Sequence, residues 1–134
     1  METILLAPQI MKNNIYFGSP SMEIGISRNG NELQSLWDSI VPERNKVWQE
    51  GFRASPEVCF GCIGGGSMQL AAVILFEENE DMRFVYEWAD LFCKEIISAL
   101  NPDRSFTLTS QQIAEWADES RHKRRLSSQV SYDN

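Results

Sequence analysis

The sequence predicts an α+β fold: a single domain with a mostly antiparallel sheet of about four to six strands and two or three helices packed on one side. Three observations point there. Short apolar stretches near the start alternate with polar residues at a period of two. Two later stretches repeat their apolar residues at helical spacing. The connections are short and carry Gly, Pro, Asn and Asp. Residues 1–126 form the expected domain, and the polar residues 127–134 a mobile C-terminal tail.

Taken in order, Ile4–Leu6 is an apolar run stopped by Pro8, and Ile15–Phe17 is another, closed by the turn signal Gly18-Ser19-Pro20. Met22, Ile24 and Ile26 then alternate with Glu23, Gly25 and Ser27, the mark of a half-buried strand. Asn29-Gly30-Asn31 breaks that strand and is expected to open a helix, with Asn31 as cap and Leu33, Leu36, Trp37, Ile40 and Val41 on one face. Between Pro42 and Glu57 only Val47 and Trp48 suggest a helical turn. Residues 57–63 and 68–77 read as two strands joined by a glycine hairpin. The second, "LAAVILF", is apolar throughout and β-branched, although its periodicity also fits a buried helix. A long helix is expected over 81–100, its wide apolar surface serving the core or a homo-oligomer contact, with Asp90 and Lys94 spaced for an ion pair. "FTLTSQQIAEW" closes the pattern with a short strand and a helix start. Thr109 and Gln112 form a capping box, and Leu108 and Ile113 a hydrophobic staple.

Composition bounds the setting. Of 134 residues, 43% are hydrophobic and 23% charged, an ordinary soluble balance. No apolar run approaches the roughly 20 residues of a membrane span. The opening METILLAPQIMKNN lacks the basic and long apolar segments of an export signal, and the three cysteines are an odd number. A cytoplasmic location without membrane contact is therefore expected. Residues 1–120 hold 18 acids against 8 bases, while Arg121, Lys123, Arg124 and Arg125 add a late basic run. An acidic body disfavours nucleic acid and attracts basic proteins.

The most unusual motif is "VCFGCIGGGSMQL", residues 58–70, with C-x-x-C spacing before three glycines. Cys59, Cys62, Cys93 and His122 match the count of a Cys₃His zinc site. A strand, however, points residues three apart to opposite faces, and Cys93 sits on an apolar helix flank. A redox pair requires a cysteine at a helix start, whereas a strand is expected after Cys62. Neither metal nor cofactor is therefore expected. Gly64, Gly65, Gly66 and Ser67 have the freedom to cradle a phosphate but lack the P-loop spacing; they are the alternative ligand-binding residues. Lone His122 near the end gives no nucleophile–base pair, so no catalytic residue is assigned. Glu77, Glu78, Glu80 and Asp81 put four acids within five residues and are the expected partner-binding patch.

"IYFGSPSMEIGISRNGNELQSLWDSI" runs a strand of M-x-I-x-I type into an L-x-x-L-W segment, and over residues 15–40 this layout resembles small bacterial toxin-immunity proteins. That resemblance implies an acidic, non-catalytic inhibitor that binds a toxin; it carries over no individual residue. The expected function is thus a non-enzymatic, immunity-protein-like inhibitor whose acidic surface neutralises a basic protein partner, a toxin or a defence protein. A phage anti-defence inhibitor is physically the same kind of object. A small-ligand or nucleotide-binding module built on the glycine turn is the alternative.

Overall fold

In the computed structural model, which describes residues 12–36, 59–62 and 65–133 (of Gly65 and 126–133 only the backbone), the strands are β1 (Ile15–Gly18), β2 (Ile24–Ser27), β3 (Gln34–Ser35) and β4 (Phe106–Thr109). They form one antiparallel sheet in the order β3-β2-β1-β4. The helices are α1 (Gly65–Asn79), α2 (Met82–Phe92), which runs into a π-helical turn at Cys93–Ile97, and α3 (Ser110–Asp133). The expected single α+β domain is present.

The period of two explains the sheet. Tyr16 lies opposite Ile26 and Leu108, and Gly18 opposite Ile24 and Phe106. These two rows make the buried face, while their sequence neighbours are less buried. Gly18 has a packing role: a Cβ there would run into the Phe106 ring, which lies over it. Asn29 and Gly30 both take positive φ, 52° and 82°, and Asn31 N–H donates to the Arg28 carbonyl at 2.9 Å. That is a type I′ turn, for which Asn-Gly is the favoured pair. It leads into β3, so Gln34 and Ser35 are strand rather than the expected helix opened by Asn31, and helical backbone begins only at Leu36. Leu36 is buried; Trp37, Ile40 and Val41 lie outside the described residues, as do the run at 4–6 and the turn at 47–48.

The second correction is larger. Residues 68–77 are the body of α1, and residues 59–62 are a bent loop, so the expected glycine hairpin is replaced by a loop entering a helix. Leu70, Ala71, Ala72, Val73, Ile74 and Leu75 are each at most 3% exposed. A helix buried on all sides has no polar stripe, and its sequence loses the signal that separates it from a strand. α1 packs along α2 and the π turn. It shares one core with Tyr16, Ile24, Ile26, Phe106 and Leu108 of the sheet.

The helix expected over 81–100 is α2 with its π turn. Its residues Val85, Trp88, Ala89, Phe92, Cys93 and Ile97 are buried within the chain's own core. Asp90 and Lys94 meet at 3.0 Å with both side chains exposed, a pair of small energetic weight. The capping box is made: Gln112 N–H donates to Thr109 Oγ1 at 3.1 Å, and Thr109 N–H donates to Gln112 Oε1 at 2.9 Å. Leu108 and Ile113 of the staple are both buried. α3 is held to α2 by edge-on contacts of Trp116 with Trp88 and Phe92, at 6.0 and 5.0 Å between centroids. Trp116 Nε1–H also donates to Glu95 at 2.9 Å. α3 continues to Asp133, through most of the stretch assigned above to a tail.

Candidate functional site

Cys59-Phe60-Gly61-Cys62 is built as a clamp. Phe60 is fully buried and meets Phe106 edge-on at 4.8 Å. Gly61 takes φ +77°, and its N–H donates to the Ile97 carbonyl at 2.9 Å. Ser98 Oγ donates to the Cys62 carbonyl at 2.9 Å. The π turn makes these partners available, because Ser98 N–H reaches back five residues to Cys93 and shifts the following carbonyls and side chains out of α-helical register. With both ends fixed, Cys59 and Cys62 converge. Their sulfurs are 2.9 Å apart, and Ser67 Oγ, from the first turn of α1, lies 3.5 and 3.4 Å from them. Neither cysteine is in a disulfide; Cys59 is half-buried and Cys62 exposed. The hydrogen bond with Cys59, and then that with Ser67, lowers the Cys62 thiol pKa against a smaller opposing effect of burial. The opposite-face placement expected from a strand is thus overturned, since these residues are a loop leading into a helix. Cys93 is buried beside Ser98 Oγ at 3.6 Å, and His122 is exposed on α3. Among the described residues no set of three His, Cys, Asp or Glu could hold a metal ion.

The glycine motif changes character as well. Gly65 and Gly66 begin α1, and the Gly66 carbonyl accepts from Cys59 N–H at 3.3 Å. Ser67 is fully buried, and the Cys59 carbonyl oxygen at 3.2 Å is within reach of its hydroxyl as well as the two sulfurs. Gly64 lies outside the described residues.

The acidic segment is chiefly a joint inside the fold. Glu77 is buried and accepts from Arg28 Nε at 2.7 Å and Nη2 at 3.1 Å, a two-pronged pair from the β2–β3 turn. Glu78 Oε2 accepts from Tyr16 OH at 2.6 Å, Ser110 Oγ at 2.7 Å and Asn14 Nδ2 at 3.0 Å. Lys12 Nζ caps the end of α1 through the Glu77 carbonyl at 2.7 Å. Asp81 caps α2 by accepting from Arg83 N–H at 2.9 Å, a bond that also holds its carboxyl pKa below the usual value. Of the four acids only Glu80 and Asp81 are substantially open to solvent, with 60% and 44% of their side chains exposed.

Tyr16 gives this joint a pH signature. Burial, then the charge and hydrogen bond of Glu78, raise its phenol pKa well above the ordinary value. The unfolded chain begins to lose this proton near pH 10 while the folded chain keeps it, so the stabilisation is complete below about pH 10 and is lost as pH rises toward the folded pKa. Urea unfolding at about pH 9 and about pH 11 should show a fall in stability that is clearly smaller in Tyr16→Phe. Equal falls in both proteins would remove Tyr16 as the cause.

A third feature is an open groove of about 650 Å³ where the start of α2 meets α3. Arg83, Arg121, Arg124 and Arg125 line it together with Asp81 and Glu87, around Phe84 and the nearly buried Trp88, and Arg83 pairs with Asp81 at 3.6 Å. Arg124 stacks over the Trp88 ring at 4.2 Å and pairs with Glu87 at 2.8 Å. The late basic run therefore joins an arginine of α2 in a surface where arginines outnumber carboxylates, on a protein of net charge −7.

A model of a protein family of unknown function, DUF6166, matches residues 28–119, well over half of the chain. The chain belongs to DUF6166. The matched segment takes in Arg28, the dithiol loop, the acidic segment 77–81 and the α2 side of the groove; Lys12, Asn14 and Tyr16 precede it and the arginines of α3 follow it. No curated protein and no solved structure matches this DUF6166 chain. No described helix is long and apolar enough to cross a membrane.

Proposed function

We propose that this DUF6166 protein acts by binding another protein, as a non-enzymatic inhibitor of the immunity type, and that it contacts its partner in the groove between α2 and α3. The observation that carries this reading is the excess of arginine in the groove, Arg83, Arg121, Arg124 and Arg125 against Asp81 and Glu87, beside Phe84. Arginine beside tryptophan and phenylalanine is the composition of interface hot spots. A matching partner segment is acidic with an apolar or aromatic anchor. A second reading, a basic partner such as a toxin meeting the acidic surface, draws on the net charge of −7 and on Glu80 and Asp81. A phage inhibitor of a defence complex would bind by the same physics, and the identity of the partner separates the two roles.

The test is affinity capture from the native host, followed by titration of each purified captured protein. Under the groove reading, Arg121→Glu with Arg125→Glu weakens binding about tenfold or more, and wild-type affinity falls as salt rises. Under the second reading, Glu80→Lys does so instead. If neither variant changes the affinity of any captured protein, both readings fail.

A further inference from the structure

We infer that Cys59 and Cys62 form a dithiol that exchanges with low-molecular-weight disulfides, Cys62 as the attacking sulfur and Cys59 as the resolving one. The pair is a built arrangement. Two sulfurs at 2.9 Å share one fully buried hydroxyl, Ser67 Oγ, and the loop carrying them is fixed by Phe60, by the Gly61–Ile97 bond and by the Ser98–Cys62 bond. Closing a bond between the two cysteines therefore leaves the hydrogen bonds and packing that hold the loop in place. Their roles differ by exposure: Cys62 is open to a reagent from solvent, and Cys59 sits half-buried behind it. The lowered thiol pKa of Cys62 increases its thiolate fraction near neutral pH. Cys93, 5% exposed, serves as an internal control that a solvent disulfide cannot readily reach.

The exchange balances without any other reactant. Cys62, its proton lost to solvent, attacks one sulfur of a disulfide R–S–S–R. That S–S bond breaks, a mixed disulfide forms on Cys62, and the released R–S⁻ takes up a proton. Cys59 then gives its proton to solvent and attacks Cys62 Sγ, and the second R–S⁻ leaves and is protonated. Two thiols of the chain are oxidised to one disulfide, and one small disulfide is reduced to two thiols. This inference is independent of the partner-binding reading.

The experiment adds oxidised glutathione to the reduced full-length chain at neutral pH, with acid quenching, alkylation and peptide mass analysis over time. The expected product is the Cys59–Cys62 disulfide, with Cys93 still alkylated as a free thiol. Cys59→Ser stops at the glutathione adduct on Cys62. In the wild-type chain the Cys62 thiol is consumed clearly faster when folded than after unfolding in urea, reflecting the greater thiolate fraction of the folded site. Cys62→Ser reacts at Cys59 at least about fivefold more slowly than Cys59→Ser reacts at Cys62, because Cys59 is the less accessible sulfur. Circular dichroism confirms that both variants are folded; should either not be, the wild-type products decide alone. A wild-type chain that stops at an adduct, that forms no product, or that oxidises through Cys93 overturns the inference.

Discussion

Glu78→Ala should lower unfolding free energy by about 3 kcal/mol, because it removes the common acceptor of three side-chain donors. Tyr16 OH, Ser110 Oγ and Asn14 Nδ2 all converge on one carboxylate oxygen, and these three residues are 0%, 6% and 1% exposed. Water cannot readily replace the lost acceptor, so each donor is left with part or all of its desolvation cost. The network also ties three separate parts of the chain, β1, the end of α1 and the start of α3. Its loss should therefore move the whole cooperative transition and not only a local one. Glu80→Gln, on an exposed side chain of the same segment, should change stability by no more than about 0.5 kcal/mol. Urea denaturation of the two variants decides the matter. Equal midpoints would mean that the segment is an exposed acidic patch after all.

That contrast shows where sequence reading works on this protein. Thr109-x-x-Gln112 was legible because a capping box is made by residues three apart, and Met22–Ser27 because a half-buried strand writes its period into four or five residues. α2 was legible because its outer stripe, Arg83, Glu87, Asp90 and Lys94, is polar. α1 was not, since a helix covered on every side shows only an apolar run, and β-branched Val73 and Ile74 tilt that run toward a strand. The misreading spread to its neighbours. A strand after the glycines would point Cys59 and Cys62 to opposite faces, so the C-x-x-C spacing gains its meaning only once α1 is known to be a helix. Asn29-Gly30 did carry a readable signal, the preference of that dipeptide for a type I′ hairpin turn. In the acidic segment the charges were countable but their partners were not: Arg28, Tyr16 and Ser110 lie 32 to 62 positions away. The arginine groove likewise joins residues some 40 positions apart, which no local pattern announces.

Gly61→Ala should cost about 3 kcal/mol, which for a domain of this size lowers the thermal midpoint by roughly 10 °C. Two effects add. An alanine at φ +77° is in the left-handed region, a penalty of about 1 kcal/mol. Its Cβ would also lie 2.5 Å from the Leu100 carbonyl oxygen and 2.5 Å from Pro102 Cδ, atoms of a backbone turn and a rigid ring that yield little. Gly30→Ala separates the two contributions, for Gly30 has φ +82° with nothing within 4 Å of the added Cβ. It should lose only the conformational part, about 1 kcal/mol. Gly61→Asn is the complementary variant: asparagine tolerates left-handed φ but carries the same Cβ, so it should remain close to Gly61→Ala. Were Gly61→Asn to recover most of the stability, or Gly30→Ala to lose as much as Gly61→Ala, close packing against the turn at Leu100–Pro102 would not be what requires the glycine. The same displacement should reach the neighbouring thiols. Moving Gly61 away from Ile97 and Leu100 pulls on Cys59 and Cys62 together, so closure of their disulfide should slow in Gly61→Ala and remain at the wild-type rate in Gly30→Ala.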